Sequence, residues 1–81
     1  MHRLEFIVEP FVEGRPGAHV TETVAALTAL GLEVDFGALA SACTVEAERM
    51  PEVVATLMRV AFANGATRVN IDAGPIGGGD R

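Results

Sequence analysis

Six side chains carry most of the chemistry this 81-residue chain can offer: Glu9, Phe11, Ser41, Thr44, Asn70 and Asp72. Carboxylates accept hydrogen bonds from exocyclic amines, and hydroxyls and amides serve ring nitrogens. A phenylalanine can stack on a flat ring and tolerates a cationic one on its face. These types suit recognition of an aminopyrimidine-like ring. Nothing among them suggests an activated nucleophile, and an ordinary polar interface between subunits is the plainer alternative. Glu9, Asn70 and Asp72 would be polar or electrostatic contacts, Ser41 and Thr44 hydrogen-bond partners, and Phe11 the stacking group.

Other reactive types are weaker candidates. His19 follows a Gly/Pro-rich stretch and could touch a ligand or move a proton near neutral pH; a solvated histidine in the first turn of a helix is the plainer reading. Cys43 is the only cysteine, so no internal disulfide forms and no cysteine metal cluster is possible. No base accompanies it as a nucleophile should require, and a small buried cysteine is expected. Gly14-Arg15-Pro16-Gly17 could cradle an anion, but it lacks the pattern and the lysine of a phosphate loop and reads as a turn. Gly77-Gly78-Gly79 has no helix after it. No acidic spacing signals a metal, and no cofactor is expected.

Composition narrows the partners. The net charge is −5, from eleven acidic and six basic residues, with no lysine. No basic stripe exists to neutralise phosphates, so nucleic acid is not an expected partner. A neutral or cationic partner suits the acidic field better. No stretch approaches the roughly 20 apolar residues of a membrane span, and no apolar run near Met1 suits a signal peptide. The expected setting is the cytoplasm, away from membranes. Apolar residues make up 49% of the chain, more than one small core is expected to hide. Self-association is the economical cover.

The elements that must position these residues follow from periodicity. Residues 4–9 (LEFIVE) alternate as a strand, with Leu4, Phe6 and Val8 on one face and Glu5, Ile7 and Glu9 on the other. Pro10 removes a donor and ends the ladder. A helix is predicted over 19–30, with Val20, Val24, Leu27 and Leu30 as its buried stripe and Gly31 as its cap. A second strand covers 32–36, with Leu32, Val34 and Phe36 inward. A third covers 40–46; its alternation is read with Ala40, Ala42 and Thr44 toward the helices and Ser41, Cys43 and Val45 away. On that reading only a strand end or bulge exposes Thr44. A second helix spans about 51–64, opened by Pro51, with Val54, Leu57, Met58, Ala61 and Phe62 as its apolar face. The last strand is 68–72, with Val69 and Ile71 inward. A single domain over 1–81 is expected, with a flexible Gly-rich tail from about residue 74.

Strand, helix, strand, strand, helix, strand is the split βαβ order of a ferredoxin-like α+β sandwich: a four-stranded antiparallel sheet with two helices on one face. Right-handed crossovers put the first and third strands in the centre. The first and last strands then run antiparallel. Glu5 neighbours Asp72, and Glu9 neighbours Arg68, so Glu9 and Asp72 do not make a carboxylate pair for acid–base work. The face away from the helices is polar, and a second subunit is the expected cover.

Three segments, LEFIVEPFVEGRPGAHV, GLEVDFGALASACTVEAE and GATRVNIDA, resemble the small thiamine-binding-protein family of ferredoxin-like domains. The resemblance spans Leu4 to Ala73. It implies subunits joined through their sheets into dimers or tetramers, and binding of thiamine or its hydroxymethylpyrimidine moiety in some members. Carried onto this chain, it points to Glu9 to Phe11 and to Ser41 to Thr44. Ala47 stands after Glu46 where that family often has glycine, a departure at that turn.

The leading expectation is therefore non-catalytic binding of thiamine or hydroxymethylpyrimidine, as carrier or sensor. One alternative is an oligomeric structural or regulatory module with no small ligand. Another is a small enzyme using His19 or a carboxylate. Acylphosphatase-like chemistry is disfavoured, since an anionic substrate needs an arginine cradle and Arg15 stands alone.

Overall fold

The computed structural model describes residues 1–10, 17–37 and 40–76. The elements are β1 (His2–Glu9), α1 (Ala18–Ala29), β2 (Asp35–Phe36), β3 (Ser41–Val45), a 3-10 turn (Ala47–Arg49), α2 (Met50–Ala63) and β4 (Arg68–Pro75). The sheet order is β2-β3-β1-β4 with every neighbour antiparallel. This is the ferredoxin-like βαββαβ sandwich the element order predicts, with both helices on one face.

The core lies between that face and the helices. Leu4, Phe6 and Val8 of β1 are buried, as their alternation predicts, together with Leu27 of α1 and Val53, Leu57 and Ala61 of α2. Leu4, Leu27, Val53 and Leu57 are fully sealed from solvent, and truncating any of these leucines to alanine should cost about 2–5 kcal/mol.

Both helices stop the same way. Gly31 and Gly65 have φ of 91° and 103°, a left-handed geometry that glycine adopts without a Cβ penalty. Gly31 N–H donates to the Thr28 carbonyl and Leu32 N–H to Leu27 (2.9 and 3.2 Å); Gly65 donates to Phe62 and Ala66 to Ala61 (3.3 and 3.0 Å). These are paired Schellman motifs, one per half of the chain. Arg49, entering α2, donates from Nη2 to the Leu30 carbonyl at 2.9 Å. It thereby satisfies a helix-end acceptor with a charge that suits the negative end of α1.

Five sequence expectations are corrected. In β3 the phase is reversed: Cys43 pairs with Leu4 and Ser41 with Phe6. Because directly opposed residues share a face, Ser41, Cys43 and Val45 point toward the helices and are buried, while Ala42 and Thr44 lie on the open face. A one-residue phase error exchanges the faces of a strand, and SACTV offers little polarity contrast to fix it. On α1, the buried row is His19, Thr23 and Leu27, rotated from the predicted valine stripe. Two polar side chains fit there because each has a backbone partner. Thr23 Oγ1 donates to the His19 carbonyl at 2.6 Å, and His19 Nε2 bonds the Pro10 carbonyl. On α2, Met50 and Val53 are buried and Met58 and Phe62 are exposed. Phe36 is 52% exposed rather than in the core, since β2 is only two residues long and carries it at the sheet edge. At the far end β4 runs to Pro75, beyond the predicted stop at Asp72. The glycine run from residue 77 lies outside the described residues.

Candidate functional site

The open face can be read as rows across the strands, because β1 is paired on both sides. One row holds Asp35, Ala42, Glu5 and Asp72: Asp35 opposes Ala42, Ala42 opposes Glu5, and Glu5 opposes Asp72. The row toward the C-terminal end of β1 holds Ile7 and Asn70, followed by Glu9 and Arg68. In the other direction stand Thr44, Arg3 and Gly74. Three carboxylates thus cross the sheet in a single line, with an alanine between the first two.

Two depressions flank that line. The larger, about 280 Å³, is lined by Glu5, Phe6, Ile7, Ala40, Asn70, Ile71 and Asp72. Ile7 and Ala40 give it an apolar floor, and Glu5, Asn70 and Asp72 give it a polar rim. The smaller, about 170 Å³, lies against Arg3, Glu5, Asp72, Gly74 and Pro75. Glu5 and Asp72 belong to both and form the divide between them.

The electrostatics of the divide are unfavourable in isolation. Like charges directly opposed on neighbouring strands destabilise a sheet. Among the described residues, the cation paired with Glu5 is Arg3, whose Nη2 stands 3.9 Å from Glu5 Oε2. Both side chains are well exposed there, so the pair contributes little. A cationic group seated between Glu5 and Asp72 would relieve this repulsion.

Several predicted residues meet here and others do not. Asn70 Nδ2 donates to Glu9 Oε2 at 3.1 Å, which joins β1 to β4 at one end of the larger depression. Asp72 lies two residues along the same strand, on the same face. The register sets Glu9 opposite Arg68 and Glu5 opposite Asp72, as the topology implies. Thr44 is exposed on the open face, contrary to the alternation assigned to it, but β1 separates it from Asn70 and Asp72. Ser41 is buried on the helix side and does not reach this face. Phe11 lies outside the described residues, as do most of the predicted anion turn and its Arg15. Glu5, Phe6, Ile7, Ala40 and Ile71 line the larger depression and are absent from the predicted set. The signal for Glu5 and Ile7 was present in the sequence: the alternation of β1 puts both on the face of Glu9, and the topology brings Asp72 to Glu5; Ala40 was hidden by the phase assigned to β3.

The other reactive types are structural. His19 is buried, not solvated. Its Nε2 faces a carbonyl, which can only accept, so Nε2 carries the hydrogen and ties the end of β1 to α1. Cys43 is buried, and desolvation pushes its thiol above the ordinary value; a protonated buried thiol is a poor nucleophile. Among the described residues, no cluster of three or more histidine, cysteine, aspartate or glutamate side chains is arranged to hold a metal, and no helix is long and apolar enough to cross a membrane.

Comparison with known proteins adds the fold. A solved structure of a domain of unknown function, DUF77, from Bacillus cereus is similar to this chain with a TM-score of 0.64. The match covers 90% of this chain and 71% of that one, at 18% identity. At that identity the likeness extends to the fold alone. No family model matches the chain, and no curated protein does.

Proposed function

We propose that the open sheet face binds a small flat heterocycle bearing amine donors or a positive charge, thiamine or its hydroxymethylpyrimidine moiety, without bond-making chemistry. The observation that carries this reading is the opposed pair Glu5 and Asp72 beside an apolar floor of Ile7 and Ala40. Two carboxylates can accept from an exocyclic amine, the floor takes the ring, and Asn70 supplies a donor and an acceptor. A depression of about 280 Å³ falls just below the range of small-molecule sites, which run from about 300 Å³ upward; it suits one ring better than an extended ligand. A carrier or sensor role follows from binding without an activated group. The test is calorimetry with thiamine and hydroxymethylpyrimidine, and thiamine phosphate as the disfavoured anionic control. The expected result is saturable micromolar binding, weakened about tenfold by Glu5→Gln or by Asp72→Asn, since each removes a charged acceptor. Absence of binding heat at two temperatures would overturn the reading.

A further inference from the structure

Gly74 is the open-face position of β4 that bears no side chain; Arg68, Asn70 and Asp72 fill the others. Neither backbone nor packing requires glycine there. Its φ is not positive, and a Cβ built on it meets nothing within 4 Å. No bulge interrupts the ladder, since the β1–β4 register runs unbroken from His2 opposite Pro75 to Glu9 opposite Arg68. Glycine inside a strand weakens it. With a bulge and a tight bend set aside, it marks a place where another group approaches the backbone closely.

The space that Gly74 leaves clear is the smaller depression, about 170 Å³, bordered also by Arg3, Glu5, Asp72 and Pro75. It shares Glu5 and Asp72 with the larger one. Rows on one face of a sheet follow one another at about 7 Å along the strands. Three stations therefore stand in line between β1 and β4. Ile7 and Asn70 come first, Glu5 and Asp72 about 7 Å further on, and Arg3 and Gly74 about 14 Å from the first. Their chemistry differs: an apolar floor with an amide, a pair of carboxylates, and a guanidinium beside bare backbone. The Arg3 side chain reaches back toward Glu5, but its Nη2, 3.9 Å from Glu5 Oε2, is beyond hydrogen-bond reach. That contact does not use up its donors.

We propose that the two depressions form one elongated ligand site, in which Gly74 sets the ligand length and Arg3 recognises its far end. The inference rests on the ring-binding reading above and extends it. The ligand class has three parts in fixed order. A flat ring lies over Ile7, a positive charge sits between Glu5 and Asp72, and an uncharged hydrogen-bond acceptor, such as a hydroxyl, ends near Arg3. A terminal phosphate or carboxylate fits poorly, because Glu5 and Asp72 border the same depression and repel it. Taken together, depressions of about 280 and 170 Å³ fall within the range of small-molecule sites, about 300–1,000 Å³, which the larger alone does not reach. A side chain placed on Gly74 projects from the open face into the smaller depression and shortens the site to its ring-binding half.

The test is calorimetry on the full chain with two probes. Hydroxymethylpyrimidine ends at its ring, whereas thiamine adds a cationic second ring and a terminal hydroxyl. Gly74→Val is the main variant, since valine suits a strand, and its Tm checks that it folds. Hydroxymethylpyrimidine should bind parent and variant alike, while thiamine should bind the variant about tenfold more weakly. Arg3→Gln should weaken thiamine about threefold relative to the analogue with hydrogen in place of the terminal hydroxyl, a modest factor because the Arg3 side chain is well exposed. If hydroxymethylpyrimidine binds and Gly74→Val leaves thiamine unaffected, the elongated site is overturned and the ring-binding reading stands. Equal weakening of both probes by Gly74→Val also overturns it, since the glycine then does not discriminate by length. The Arg3 comparison decides independently of how the glycine variant folds: equal effects on thiamine and its analogue overturn the proposal. If neither probe binds the parent, the ring-binding reading falls and the elongated site with it.

Discussion

Replacing Gly31 by alanine isolates the cost of a left-handed backbone. A Cβ built at Gly31 meets nothing within 4 Å, and the same holds at Gly65, so no steric clash enters. What remains is the φ of 91°, which costs a residue with a Cβ roughly 1–2 kcal/mol. Part of this is offset because alanine restricts the unfolded chain, by about 0.4–1 kcal/mol. The net expectation is about 1 kcal/mol lost. With about 2.1 cal/mol/K of unfolding entropy per residue, the 81 residues give roughly 170 cal/mol/K, so Tm should fall by about 6 °C. Gly65→Ala should cost the same. The two glycines end different helices, and the double variant should be additive, near 12 °C in total. Gly74 is the control: a Cβ there also meets open space, and its φ is not positive. Gly74→Ala should leave Tm unchanged or raise it by a few degrees, because only the unfolded-state effect survives. Thermal unfolding followed by circular dichroism reads the four variants against the parent. The reasoning is refuted if Gly31→Ala and Gly74→Ala move Tm by the same amount.

Two further outcomes are expected. The raised Cys43 thiol gives a stability that is fully present below the thiol's ordinary titration and is lost as pH rises through it. Over that window the unfolded chain binds fewer protons than the folded one. Urea unfolding between about pH 8 and pH 11 should show a falling stability, with one group contributing at most about 1.4 kcal/mol per pH unit; an undiminished slope in Cys43→Ala would assign it elsewhere. The faces of β3 are tested by placing an aspartate on each. Thr44→Asp on the open face should stay within about 0.5 kcal/mol of the parent. Cys43→Asp buries an unpaired carboxyl and should cost about 3 kcal/mol or more, and equal effects would refute the assigned phase.

What was legible in the sequence depended on contrast. In β1, Leu4, Phe6 and Val8 alternate with Glu5 and Glu9, and the core face was readable at once. The glycine stop at Gly31 was equally plain, because few residues serve a positive φ. β3 lacked that contrast, since alanine, serine, cysteine and threonine differ little in the free energy of burial, and the phase was set instead by pairing with Leu4 and Phe6 far away in sequence. On α1, Thr23 and His19 became buried because backbone carbonyls received them, and such partners leave no periodic trace. The candidate site divided along the same line. Face and topology placed Asn70 and Asp72, which line the larger depression, and Glu9, which Asn70 bonds, together on the open face. Ser41 was misplaced by the β3 phase, Thr44 was set apart from Asn70 and Asp72, and Glu5 was recognised as the neighbour of Asp72 yet left out of the set.

The pairing of β1 with β4 also bears on how the chain is made. The Asn70–Glu9 hydrogen bond joins residues 61 apart in sequence, and the Glu5–Asp72 row is equally non-local. Contacts this distant form late, because the intervening chain must first be ordered. During synthesis β1 leaves the ribosome long before its neighbour exists, with one ladder edge open and Leu4, Phe6 and Val8 uncovered. The carboxylate divide, the two depressions and the outer edge of β4 all come into being together, when the strand at 68–75 docks. Any binding activity of this face is therefore a property of the completed sheet, and a translation product stopped before Arg68 should lack it entirely.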